Sequence, residues 1–335
     1  MVAGNLSIRD FSQFRSASRE LWLALTPRYR KLCLEDIGGL TALQWAAVRG
    51  HVELVELAIS NGAEIDKPLR GMLDRTAPNM SDRPHYVCQL ADRFALFDDE
   101  ATFRTPLYLA ACSGQLGAIK VLLKLGASVQ CFGEIDTPAH ISAHRGDVDC
   151  MRAFIGARFD INTRGLRDRT ILHAAIRGGV EMITYLLEQA GGETLVNAKD
   201  SLQHTPLHWV SDSFYVEDKR KVITELLLQH GADIHARGYW GDTPAHRVAR
   251  LGDVDTMHLL IAAGIDFHAR GYEGRTILHC AVRGRNGVLE YLLGQEGGRR
   301  IVHIRDNHGM TPLEYAVEWR ATEAVELLEE WGINT

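Results

Sequence analysis

Five histidines recur at near-regular intervals along this chain: His140, His173, His208, His246 and His279. Imidazole titrates near neutrality and ligates metals, so an array of them raises metal binding or acid–base chemistry. Each one, however, stands three residues after a threonine in a recurring phrase. Successive copies then ride on successive helices, too far apart to share one metal. That placement favours histidines bonded to backbone groups of the adjoining turn. The six cysteines (Cys33, Cys88, Cys112, Cys131, Cys150 and Cys280) form no CxxC pair, which argues against a zinc site or a disulfide framework. The sequence holds no phosphate-binding loop, GxSxG or HExxH, and nothing spaces Asp, His, Cys or Ser as a nucleophile–base pair. No catalytic residue, metal ligand or cofactor is assigned.

Other residues carry recognition chemistry. Seven positions after successive threonines stand His144, Arg177, Asp212, Arg250 and Arg283, a polar stripe suited to an acidic peptide or a carboxylate. Four positions after them stand Trp45, Trp209 and Arg247, residue types that anchor interfaces. A further phrase, ARGY, places Arg237, Tyr239 and Trp240 in one copy and Arg270 and Tyr272 in the next. Aromatic rings beside guanidinium groups can hold a partner by stacking and cation–π contact. They can equally staple neighbouring turns together.

The elements that position these residues follow from the phrase itself. It reads TALQWAAVRGH at Thr41, TPLYLAACSGQ at Thr105, TPAHISAHRGD at Thr137 and TILHAAIRGG at Thr170. It continues as TPLHWVSDS at Thr205, TPAHRVARLGD at Thr243, TILHCAVRGR at Thr276 and TPLEYAVEWR at Thr311. Threonine caps a helix start through its hydroxyl, and proline at the first helical position loses no hydrogen bond. Leu and Ala then recur at helical spacing. Gly50, Gly114, Gly146 and Gly252 end the first helix, and a second helix follows before a Gly-Ala turn. The spacings are 64, 32, 33, 35, 38, 33 and 35 residues. A second period of 106 residues is visible, since RTILH occurs at 169 and 275 and GDVDCM at 146 is echoed by GDVDTM at 252. Repeats three to five thus look duplicated as repeats six to eight.

The phrase and its period resemble the ankyrin repeat, whose signature is T-P-L-H-x-A at about 33 residues. The resemblance covers residues 35–335 and implies an all-α solenoid of about eight repeats with short β-hairpin fingers. It implies a protein–protein interaction scaffold that binds through a concave groove and its fingers. An enzyme with a small-molecule site on that concave surface is one of two alternatives. Within the array, Arg158 stands where a turn glycine is expected, and residues 67–103 form an insertion that lacks the phrase. Ahead of it, residues 1–34 are expected to form a helical cap. Phe11, Phe14, Leu21, Trp22, Leu25, Pro27 and Tyr29 resemble the closing part of the F-box in fungal F-box/ankyrin proteins. That resemblance implies a truncated or degenerate F-box-like remnant with a ubiquitin-ligase linker as partner, and the second alternative, an F-box-like substrate adaptor of a ubiquitin ligase.

Bulk properties narrow the partners. The net charge is -6 and the pI about 6.2, so the chain as a whole lacks the basic footprint of a nucleic-acid binder. No apolar run reaches the roughly 18–20 residues of a membrane helix, and the first residues lack a secretory signal pattern. The expectation is a monomer in the cytoplasm or nucleus that binds a protein and touches neither membrane nor nucleic acid. Residues 67–84 are rich in Pro, Arg and Asp. We expect them to be cleaved first in limited proteolysis, well before 105–125. Equal protection of the two segments would contradict the insertion.

Overall fold

A helix begins one residue after each of the eight phrase threonines in the computed structural model. The structure describes residues 41–68, 104–130, 135–212, 218–284 and 286–333. The cap at 1–34 and nearly all of the insertion at 67–103 lie outside them. Two compact units are present, one comprising residues up to 141 together with 149–159, the other 142–148 together with 160–335.

In the first unit the helix Ala42–Arg49 packs on Val52–Ser60 and on Pro106–Ser113, which in turn packs on Leu116–Lys124. In the second, inner helices Ile171–Gly178, Pro206–Asp212, Pro244–Leu251, Ile277–Val282 and Pro312–Glu318 pack in chain order. Their outer partners Val180–Leu187, Arg220–Gln229, Val254–Ala262, Asn286–Gly294 and Thr322–Glu330 do the same. Each inner helix buries Leu, Ile, Val and Ala on more than one side, as Ile171, Leu172, Ala175 and Ile176 show. Each such Leu or Ile contributes about 1.5–3 kcal/mol on full burial.

The caps form as the residue types dictate. The Thr105 and Thr311 hydroxyls accept from the backbone N–H groups of Tyr108 and Glu314, each at 3.2 Å. The terminal glycines Gly50, Gly114, Gly146 and Gly252 all adopt left-handed φ, between 66° and 77°. Arg158 is left-handed too, at φ 64°, where its repeat lacks the turn glycine. The extended turns after Gln189 and Gln295 each contain a short helix, Gly192–Leu195 and Glu296–Arg300.

The connections between repeats are tight turns, and no strand occurs among the described residues. A backbone bond spans each turn, Gly165 N–H to Arg169 O, Asp200 N–H to His204 O, Gly238 N–H to Asp242 O, Gly271 N–H to Arg275 O and Asp306 N–H to Met310 O, all at 2.8–2.9 Å, and a second lies inside each, such as Gln203 N–H to Asp200 O. Successive turns are then tied by single bonds, Ser201 N–H to Arg167 O, Tyr239 N–H to Leu202 O and Asn307 N–H to Glu273 O. One bond per junction is too few to make a ladder.

Two glycines set the approach of neighbouring inner helices. A Cβ on Gly178 would lie 2.0 Å from Ala143 O, and one on Gly284 would lie 2.5 Å from Ala249 O. The two positions are related by the longer repeat. Gly178→Ala is expected to destabilise the protein by about 1–3 kcal/mol, as overpacking does. Gly294→Ala, with nothing within 4 Å of the added carbon, should be neutral or slightly stabilising. Paired thermal melts check the contrast.

Candidate functional site

The conspicuous histidines belong to the frame. His173 Nε2 lies 3.0 Å from His204 O, His208 Nε2 3.1 Å from Asp242 O, His246 Nε2 3.2 Å from Arg275 O and His279 Nε2 3.0 Å from Met310 O. A carbonyl only accepts, so each Nε2 carries the proton. Nδ1 is then a bare acceptor. It takes the backbone N–H of its own cap threonine, at 3.1–3.2 Å for Thr170, Thr205, Thr243 and Thr276. Each recipient carbonyl belongs to the residue just before the next phrase threonine. The side chain therefore links one helix cap to the next. With both ring nitrogens committed, none of these four rings is available as a metal ligand or a base.

Burial holds the imidazoles neutral. The pKa of His173 is lowered to about 4 and that of His208 to about 3, in each case first by desolvation. His246 and His279 are lowered for the same reason. The first repeat confirms the logic with another residue type. Gln44 Oε1 accepts from Thr41 N–H at 2.9 Å and Gln44 Nε2 donates to Lys67 O at 3.0 Å, the same two bonds. In the last phrase Glu314 Oε2 accepts from Thr311 N–H at 2.7 Å and pairs with Arg305.

Some expected recognition residues also face inward. Arg247 is 4% exposed and donates through Nη2 to His204 Nε2 at 2.7 Å, so it is no surface anchor. His204 in turn stands 3.8 Å from Asp200 Oδ2, and its own N–H donates to Asp200 Oδ1 at 2.8 Å. Burial, then the neighbouring Arg250, lowers the Arg247 pKa to about 10, and burial together with Arg247 depresses His204. Trp209 is half-buried. Its Nε1–H donates to Asp200 Oδ2 at 2.9 Å, its edge or face meets His173 at 5.8 Å, and the Arg169 guanidinium lies 5.2 Å from its ring centre. The same cluster recurs 106 residues on, with Arg275 4.7 Å from the ring of Tyr315 and His279 at 5.8 Å. Sequence reasoning missed Arg169 and Arg275 here, although RTILH occurs at the duplicated offset. Trp45 is half-buried and stacks on His51 at 5.2 Å.

The outward set is smaller. Arg250 and Arg283 are exposed at the ends of their inner helices, and His144 and Arg177 are half-exposed. The Arg283 guanidinium covers the ring of Trp319 at 4.3 Å, and Trp319 itself is 51% exposed. Trp319 was not anticipated, because it lies one residue beyond the stripe. Asp212 ends its inner helix, and its side chain lies outside the described ones. On the turns, Arg237 donates to Arg270 O at 3.0 Å and Arg270 to Arg305 O at 2.7 Å. These arginines thus staple neighbouring turns. Their aromatic companions remain outside: Tyr239 is 67% exposed, Trp240 53% and Tyr272 45%, in an edge-to-face series with centres 6.0 and 5.9 Å apart.

Comparison with known proteins agrees with this frame. The family model described as ankyrin repeats (3 copies) matches residues 21–133, 139–238, 214–303 and 245–335. The chain belongs to the ankyrin-repeat family. It is 30% identical to inversin of Canis lupus familiaris over 166 residues, 49% of this chain but 15% of inversin. The human ASB11 ankyrin repeat domain superposes with a TM-score of 0.53 at 20% identity, covering 76% of this chain and 97% of that one. The Bcl-3 ankyrin repeat domain gives 0.52 at 24%, covering 77% and 99%.

The histidine links make a pH-dependent prediction. In the unfolded chain each imidazole returns to about 6.5, so acid protonates the unfolded state first. The contribution of the links is complete above pH 6.5 and is lost as pH falls from there to about 3–4. His208→Ala is expected to lower stability at neutral pH by about 1 kcal/mol or more. His208→Gln should retain most of it, as Gln44 does, and should reduce the loss in acid. Denaturant melts at neutral and acidic pH measure both effects.

Proposed function

We propose that this protein is an interaction scaffold that binds a protein partner through the outer ends of its inner helices and through its inter-repeat turns. The observation that carries the reading is a separation of roles. In the second unit the cap threonines, the phrase histidines and the turn aspartates bond within the frame, while Arg250, Arg283, Trp319, Tyr239, Trp240 and Tyr272 stand outside it. Large aromatics held at the surface beside arginine are the residue types on which protein interfaces concentrate their binding energy. Their exposure is not needed to stack the helices.

In this reading the eight phrases are eight repeats, the turns are short hairpin-like fingers, and the protein acts as a monomer in the cytoplasm or nucleus. Residues 1–34 supply an F-box-like segment on the strength of their resemblance alone, with a Skp-type linker as its partner. The catalytic alternative has no nucleophile–base pair to support it among the residues described.

The experiment is a covalent capture of the partner by the full chain, repeated with Arg177, Arg250 and Arg283 all changed to Ala. Capture should weaken while the melting temperature barely moves, because exposed charges contribute roughly 0–1 kcal/mol each. A variant that melts early yet captures normally would show that the arginines serve the frame.

A further inference from the structure

The charge of the chain is unevenly placed. The protein carries -6 overall. Along the turns of the second unit, however, Arg164, Arg167, Lys199, Arg237, Arg270 and Arg305 are all exposed. The acids of the same turns are mostly unavailable to oppose them. Asp200, Asp242 and Asp306 are buried at 4–5% exposure, where they accept turn N–H groups. Glu273 is paired with Arg275. Asp168 is the exposed acid within these turns; Asp160, Asp233 and Asp266 are exposed in the segments leading into them, each accepting the N–H two residues on, and Glu314 pairs with Arg305.

The geometry fixes the cations in a row. Arg164 donates to Lys199 O at 2.8 Å, and Arg237 and Arg270 to the carbonyls of the turns that follow them. These acceptors are neutral, so the guanidinium charge is oriented and not cancelled. The Tyr239–Trp240–Tyr272 series stands within this row, because Tyr239 N–H is bonded to Leu202 O and Tyr272 N–H to Asp242 Oδ1. Edge-to-face packing restrains the rings while leaving each about half or more exposed.

Resting on the protein-binding reading above, we infer that this turn edge is a docking surface for an extended acidic segment of a partner protein that carries aromatic side chains. The carboxylates pair with the oriented guanidinium groups, which favour charge-assisted bonds to planar anions. The partner's rings pack on the exposed Tyr239, Trp240 and Tyr272. A basic segment meets like charge at Arg164, Arg237 and Arg270, whose side-chain acceptors are neutral carbonyls. Nucleic acid could use the same rings and arginines, so oligo(dT) is one of the probes in the test.

The test is a fluorescence titration of the full chain with a labelled synthetic peptide of repeating Glu-Asp-Phe triplets. Matched probes are a Lys-Arg-Phe peptide, a Glu-Asp-Ser peptide and oligo(dT). The acidic aromatic peptide should bind most tightly and lose affinity as salt is raised. Tyr239→Ser with Trp240→Ser should weaken it roughly tenfold or more, with melting unchanged. Lys221→Ala, which removes one exposed charge on the outer helix Arg220–Gln229, should leave it unaltered. The inference is overturned if the acidic aromatic peptide does not bind, if the basic peptide or oligo(dT) binds as well or better, or if the turn variant binds normally. Equal loss in the Lys221 variant would also overturn it, because the attraction would then be general to the surface and not placed on the turns. The titration needs no cellular partner, so it stands or falls separately from the capture experiment.

Discussion

The second unit depends on one side-chain bond used repeatedly. A neutral imidazole accepts from the N–H of its own cap and donates to the carbonyl that precedes the next cap. Helix N-termini leave backbone donors unsatisfied, and buried ones must find partners. The histidine satisfies one such donor and one buried carbonyl with a single rigid ring. Helix stacking buries the apolar faces, but it is tolerant of sliding. The cap-to-cap bond sets the position of one repeat against the next to within a hydrogen bond's length. Desolvation keeps the ring neutral, so the link persists across ordinary pH.

The duplication extends from sequence into contacts. Arg169, His173 and Trp209 reappear as Arg275, His279 and Tyr315 with nearly the same distances. The substitution of Tyr for Trp removes an indole donor. Asp200 uses its second oxygen for the Trp209 N–H, whereas the corresponding Asp306 faces Arg275 at 3.8 Å. One packing solution has been kept while its polar rim has changed.

Much of the frame is legible in the sequence because it is local. Thr, Pro and Gly act within a single turn of chain, so helix starts and stops follow from residue type. The structural role of the histidines follows as well, from their position inside the cap. The fate of Arg247 does not, because it depends on His204, 43 residues earlier. A lone histidine just before a cap threonine was the available signal. The ARGY phrases were ambiguous for a different reason. Arginine reaches far enough to bond the next turn or a partner, and only the turn-to-turn geometry shows Arg237 and Arg270 bonded to carbonyls while the adjacent rings stay outside.

The residue at 314 has a bearing on how such an array can be lengthened. A histidine at this position presents a donor to the carbonyl before the next cap, as His279 does to Met310 O, and Gln44 likewise presents one to the backbone carbonyl of Lys67. Glu314 presents only acceptor oxygens, and both the Thr311 N–H and Arg305 are drawn to one of them. A unit grafted behind this helix pair would bring its pre-cap carbonyl against a carboxylate. Growth in that direction therefore calls for a change of one side chain before any new repeat is added, whereas an inserted copy between existing ones brings its own connector.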